Sequence, residues 1–237
     1  MNIQYIQLSL LNFISKLRHL VTLWDVKKPQ YKLSISLGVF DPETNIFHNS
    51  ISEDFEKQLN NVMSDYVDWD SVDDVTETHV YEYIANKELV ETSVVFSEDE
   101  PDITHKVKHE CSHIDILSMG NAYDMQLKIL KYYDTMPPRV ITTLQQQRMD
   151  IVCNNSYKFN NGWNYVFSNI CTGKTRTEAE MSDRMNNNHR HISIEFTPTN
   201  HILSNMTNKE IVHSMISNIQ SIYDQPTISE CVLLELS

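Results

Sequence analysis

The sequence predicts an α+β protein: a closed antiparallel β-barrel of about eight strands, with helices near both ends of the chain. Three observations carry this reading. Beyond Glu77, most segments alternate apolar and polar residues with period two, the pattern of strands with one face on packed side chains. Apolar residues at helical spacing occur before Lys27, after Ser52 and near the C-terminus. The alternating segments keep polar side chains on their second face, which suits a barrel with a wet interior.

The elements follow in order. Segment 7–24 places Leu8, Leu11, Ile14, Leu17, Leu20 and Val21 on one helical face. A polar connector with Pro29 leads to a strand at 32–40, whose polar face reads Lys32, Ser34, Ser36. Asp41-Pro42-Glu43-Thr44-Asn45 reads as a turn. Ser52 caps a helix with acids in its first turn and an apolar stripe of Phe55, Leu59, Val62, Met63 and Tyr66. Residues 65–77 read as an acidic, turn-rich connector. Strands at 79–85 and 89–96 form a hairpin across Asn86-Lys87. Further strands are read at 104–117, 125–133, 142–153 and 163–171, with turns at Pro137-Pro138 and Asn160-Asn161-Gly162. Residues 175–188 are polar and charged and read as a surface loop. A strand at 191–197, with polar face His191, Ser193, Glu195, runs into a helix at 209–223. Ile211, Val212, Met215, Ile216, Ile219 and Ile222 form that helix's apolar face, and 230–236 reads as an edge strand. Neither repeat nor linker interrupts the pattern, so one domain over 1–237 is expected.

Composition narrows the function. The 237 residues are 41% apolar, ample for a large core. With 32 acids against 19 bases the charge is -13, which argues against a broad grip on nucleic-acid backbone, double-stranded DNA included. A small basic pocket inside an acidic shell is compatible with it. Cys111, Cys153, Cys171 and Cys231 are widely spaced with no CxxC pair, so reduced thiols and an intracellular, reducing compartment are expected. The apolar run from Tyr5 to Phe13 lacks a basic lead and a cleavage site, and no run approaches the roughly 20 apolar residues of a membrane span. Neither a signal peptide nor a membrane partner is expected.

The order of segments resembles the tunnel-type RNA 5′-triphosphatases of mRNA capping, found in fungi, protists and large DNA viruses. The resemblance covers about 32–223. The family's first strand, Glu-x-Glu-x-x-x-Gly, would be Lys32-Leu33-Ser34-Ile35-Ser36-Leu37-Gly38. Its last strand, Glu-x-Glu-Phe before a helix, would be Ser193-Ile194-Glu195-Phe196. Trp163-Asn164-Tyr165-Val166-Phe167-Ser168-Asn169-Ile170 keeps the frame of the family's Trp-x-x-Asp-x-Thr-x-Val strand. The stretches 112–117 and 123–127 are similar to its central strands. The resemblance implies a triphosphate tunnel and phosphoanhydride hydrolysis. It also implies an Mg²⁺ or Mn²⁺ held by carboxylates from facing strands, with lysines and arginines on the phosphates.

Against that frame, three of four expected acids are replaced: the positions read Lys32, Ser34, Ser193 and Glu195, leaving Glu195 as the one metal candidate. Val166 stands where the Trp strand would have an acid, and Gln126 where an arginine is usual. Arg148, Lys128, Lys106 and Lys108 are the phosphate-binding candidates; for Lys106 and Lys108 a solvated face is the equal alternative. The register around Arg148, between Gln146 and Asp150, is open by one residue, which would turn every side chain to the other face. One carboxylate holds a hard cation weakly, and Lys32 adds a fixed positive charge beside it.

Other clusters have plainer readings. His105, His109, Cys111 and His113 share one strand face with Val107, where ligands two apart rarely converge on one tetrahedral ion. A polar sheet face is the expectation. Glu178 and Glu180 form an intact Glu-x-Glu, in a stretch that reads as solvated. Three functions follow. The first is a capping-associated triphosphatase-like domain, weak or inactive, binding triphosphate-ended RNA or a nucleoside triphosphate beside capping or polymerase subunits, without a metal cofactor. The second is an active Mg- or Mn-dependent enzyme with relocated acids, drawn from Glu195, Glu178, Glu180 and Asp150. The third is a non-catalytic module of a transcription or capping assembly. The location expected is cytoplasm, nucleus or viral factory.

Overall fold

The computed structural model describes residues 3–23, 28–65, 71–85, 88–96, 100–118, 123–136, 146–159, 161–185, 188–222 and 231–234. Eight long strands close on themselves: β1 (Gln30–Asp41), β3 (Ser71–Ala85), β4 (Glu88–Val95), β5 (Asp102–Ser118), β6 (Asp124–Asp134), β7 (Gln146–Lys158), β8 (Trp163–Gly173) and β9 (His189–Phe196). The circuit runs β1-β6-β5-β4-β3-β7-β8-β9 and back to β1, antiparallel throughout. Two short strands, β2 (Ile46–His48) and β10 (Cys231–Leu234), add to β1 and β5. Five helices complete the described residues: α1 (Ile3–Thr22), α2 (Glu53–Asp65), α3 (Arg176–Arg184), α4 (Asn200–Asn205) and α5 (Asn208–Ile222).

Alternation decides which face is inside. On β1, Leu33, Ile35 and Leu37 share a core with Leu10, Ile14 and Leu17 of α1 and with Ile211, Met215 and Ile219 of α5. Helices lie outside a barrel, so this apolar face points out. The register carries it round the wall: Ile35 pairs with Leu127 on one side and Ile194 on the other, and Ile194 pairs with Tyr165. Each fully buried aliphatic side chain contributes about 1.5–3 kcal/mol. The opposite, polar face therefore lines the interior.

Three departures from the sequence expectations have physical causes. Residues 71–77 are not a turn-rich connector but the first half of β3, where Val72 pairs with Tyr157 and Glu77 with Cys153; ladder pairing overrides their poor strand propensity. A register shift lies between Asp73 and Thr76. Residues 176–184 are not a loop but α3. Thr175 Oγ1 accepts from the Glu178 amide at 3.3 Å, Glu178 Oε2 accepts from the Lys174 amide at 2.7 Å, and Ala179 is fully buried against Met149, Ile151 and Cys171. A short helix, α4, was not expected either; Thr199 caps it by accepting from the Ile202 amide. On α2, Leu59 and Met63 are buried as expected, whereas Val62 is exposed and Tyr66 lies outside the described residues.

The expected β7 begins in undescribed residues, and its described part runs on to Lys158. The turn to β8 uses Gly162 at φ 87, a left-handed conformation that favours glycine. The Asn86-Lys87 and Pro137-Pro138 turns lie outside the described residues. No described helix is long and apolar enough to cross a membrane.

Candidate functional site

The interior wall is built from the polar halves of the alternating strands. On β1 and β9 the register opposes Ser34 to Glu195 and Ser36 to Ser193. Lys32 lies two residues from Ser34 on the same face, and its Nζ stands 2.8 Å from Glu195 Oε1. Ser193 Oγ donates to the same oxygen at 3.5 Å. Burial alone would lower the Lys32 pKa, but the Glu195 carboxylate, with Tyr132 and Glu91, outweighs it and holds the ammonium above its usual range. Lys32 also sits over the Tyr132 ring, 5.5 Å from its centroid.

Most of the other interior cations are paired in turn. Lys128, opposite Ser34 on β6, lies 3.0 Å from Glu110, which also holds His113 at 2.6 Å. Burial raises the Glu110 pKa, yet the Lys128 hydrogen bond and charge bring it below the usual carboxylate range. Gln126 Nε2 donates to the buried Asp115 at 2.7 Å. Lys108 lies 3.6 Å from Glu91. Arg148 Nε donates to Asp150 at 2.8 Å, and Thr172 donates to the same oxygen at 2.7 Å. Lys106, in register with Glu91, has no ion-pair partner among the described residues.

Two cavities open at opposite ends of β1 and β9. One, of about 310 Å³, is lined by Lys32, Glu91, Lys106, Tyr132 and Glu195. The other, of about 550 Å³, is lined by Phe47, His48, Arg148, Thr172, His189 and His191. His191 faces inward, and burial, reinforced by Lys108, Lys32 and Lys128 against the pull of Glu195, drives its pKa down to about 4. Its Nε2 makes no hydrogen bond among the described residues.

The structure thus gathers Lys32, Ser34, Ser193, Glu195, Gln126, Lys128, Lys106, Lys108 and Arg148 on one inner wall, with Val166 opposite Ser193. Arg148 belongs to the far mouth, away from Lys32 and Glu195. The register question around it resolves inward: Arg148 pairs with Glu82, next to an irregularity at Tyr83. Glu178 and Glu180 sit on α3, outside the wall, where Glu178 caps the helix and Glu180 pairs with Arg176 at 2.7 Å. They cannot join Glu195 or Asp150 around one ion. The histidine row is split by a bulge between Glu110 and Ser112. His105 and His109 face outward onto Thr92 and Tyr133, while His113 faces inward onto Glu110.

Sequence reasoning missed the inner acids Glu82, Glu91, Glu110 and Asp115. Period two from Lys106 and Lys108 would have found Glu110. Asp115 needed the bulge, and Glu91 needed the β4–β5 register.

No protein-family model matches the chain, and no curated protein matches it in sequence. Solved structures do match. The S. pombe Pct1 RNA triphosphatase aligns over 92% of this chain and 93% of its own, with a TM-score of 0.67 at 10% identity. The same protein in complex with the Spt5 CTD gives a TM-score of 0.67 at 11% identity. The Mimivirus capping enzyme triphosphatase aligns over 90% of this chain and 96% of its own, with a TM-score of 0.59 at 9% identity.

The chain has the RNA triphosphatase fold. At such identities the likeness is one of fold, and it bears out the expected closed barrel with flanking helices. Within this triphosphatase fold, the four positions that the family resemblance gives to metal ligands hold one carboxylate, one ammonium and two serines. The carboxylate is already bonded to the ammonium. Among the described residues, no group of three His, Cys, Asp or Glu side chains is placed to hold a metal ion. The residues present do not fit a divalent cation, which takes several oxygen ligands.

Proposed function

We propose that this chain is a triphosphatase-like domain of mRNA capping whose tunnel holds the 5′-triphosphate end of RNA and hydrolyses it weakly or not at all. One observation carries the reading: Lys32 is ion-paired with Glu195, at strand positions where the family resemblance expects the carboxylates of a metal site. Binding without hydrolysis is supported by the cations that remain on the inner wall, Lys106, Lys108, Lys128 and Arg148. A purely structural module would more naturally fill the barrel with an apolar plug; here the inner face is charged. The Pct1 complex with the Spt5 CTD makes transcription-machinery subunits the partner class to test.

The test has two arms. Triphosphate-ended RNA incubated with Mg²⁺ or Mn²⁺ is expected to release no phosphate above background. The same RNA is expected to bind about tenfold or more tightly than its 5′-hydroxyl form, the effect of a few charge-assisted hydrogen bonds. Metal-dependent phosphate release that Glu195→Ala abolishes would sink the proposal.

A further inference from the structure

The poor fit of the tunnel to a metal has a constructive side. We infer that the Lys32 ammonium serves as a built-in cation, so that the tunnel grips a linear polyphosphate without metal and Glu195 competes with that ligand for Lys32. The inference rests on the reading of the tunnel as a phosphate-binding site.

Lys32 reaches across from β1 to β9, and its Nζ is 2.8 Å from Glu195 Oε1. The intervening Ser34 and Ser193 are buried and uncharged. This wall therefore carries one cation and one anion that neutralise each other. A divalent ion entering between β1 and β9 would meet the Glu195 carboxylate already paired with Lys32, and across the cavity Glu91 engaged by Lys108. A polyphosphate meets the opposite situation. At this end Lys32 and Lys106 line the cavity with Glu91 and Glu195, and Lys108 stands by Glu91 and Glu82, so three ammoniums are matched by three carboxylates and attraction rests on Lys106 and on freeing Lys32 from Glu195. Lys106 has no ion-pair partner among the described residues, and Lys108 is 3.6 Å from Glu91. The cavity of about 310 Å³ beside them opens to solvent, so an anionic chain end can reach them. Its oxygens replace the Glu195 carboxylate on Lys32, leaving Glu195 beside Ser193 Oγ and facing a like-charged ligand. Glu195 therefore weakens binding. In a metal site the same carboxylate would create binding, so the two arrangements predict opposite responses to its neutralisation.

Calorimetric titration of the full chain with inorganic tripolyphosphate tests this. In EDTA the wild type binds, and added Mg²⁺ weakens binding because it complexes the polyphosphate. Lys32→Ala weakens binding about tenfold or more, the loss of one buried charge-assisted contact, while Lys32→Arg retains most of it. Glu195→Gln tightens binding severalfold, and circular dichroism melts establish that each variant is folded. If Lys32→Ala fails to fold, the EDTA result and the direction of the Glu195→Gln effect still decide. Binding that requires Mg²⁺, or that Glu195→Gln weakens, overturns the inference. Tripolyphosphate bound in EDTA with no preference for triphosphate-ended RNA leaves the inference standing and removes the RNA reading. Triphosphate-ended RNA bound only with Mg²⁺ does the reverse, and no binding of either ligand removes both.

Discussion

At the scale of single residues, function turns on charges placed where alternation allows no escape to solvent. His191 shows the cost of such a place. Burial, reinforced by the charges of Lys108, Lys32 and Lys128 and opposed by that of Glu195, lowers its pKa to about 4 from the ordinary 6.5. The unfolded chain takes up this proton as pH drops below about 6.5, whereas the folded chain resists until about 4. Stability is therefore unaffected above pH 6.5 and is lost progressively as pH falls from 6.5 to 4, by up to about 3 kcal/mol. Urea denaturation across that range should show the loss for wild type and a flatter profile for His191→Asn. An unchanged slope in the variant would mean that other groups carry the acid sensitivity.

At the scale of elements, strand edges were harder to read than strand centres. The alternation of β1, β6, β8 and β9 was legible because one face packs on α1 and α5 and the other lines the tunnel. The first half of β3 was not legible, since its acids resemble a turn until β7 pairs with them. The bulge in β5 was invisible for a similar reason: a one-residue insertion leaves no mark in the period until the partner strand fixes the count. The capping box of α3, Thr175 to Glu178, was present in the sequence but was masked by the polarity of the stretch. Gly38 gives an element-scale prediction. A methyl group there would overlap the His48 backbone carbonyl and crowd the Phe47 ring, where β2 crosses close over β1. Gly38→Ala is expected to cost about 2 kcal/mol in thermal or urea unfolding, since the obstructing atoms are partly backbone. A neutral result would show that β2 is free to shift.

At the scale of the whole molecule, an acidic shell encloses a tunnel in which most of the cations are already paired. Such an interior should be stable without ligand and should respond to polyphosphate rather than to metal. Differential scanning calorimetry in EDTA and in millimolar Mg²⁺ is expected to give the same Tm. Tripolyphosphate at about 100 times its Kd should add about 2.7 kcal/mol, roughly 5–10 °C for a chain of this size. A Tm that rises with Mg²⁺ alone would point to a metal site assembled from residues other than these.

The sequence by itself determined the class of the fold and the two strands that matter most. Period two depends only on backbone geometry, so Lys32, Ser34, Ser193 and Glu195 could be placed on inward faces before any strand was paired. It also set Lys32, Ser34 and Ser193 at positions where the family resemblance expects acids. Only the tertiary structure decided what that departure means. Lys32 and Glu195 are far apart in sequence, and their 2.8 Å contact exists because barrel closure brings β1 beside β9. Pairing of neighbouring strands placed Glu91 near Lys108 and Asp115 beside Gln126, and α3 holds Glu178 and Glu180 outside the wall. Register between strands sets the distances among these wall residues, and the period of a single strand does not encode it.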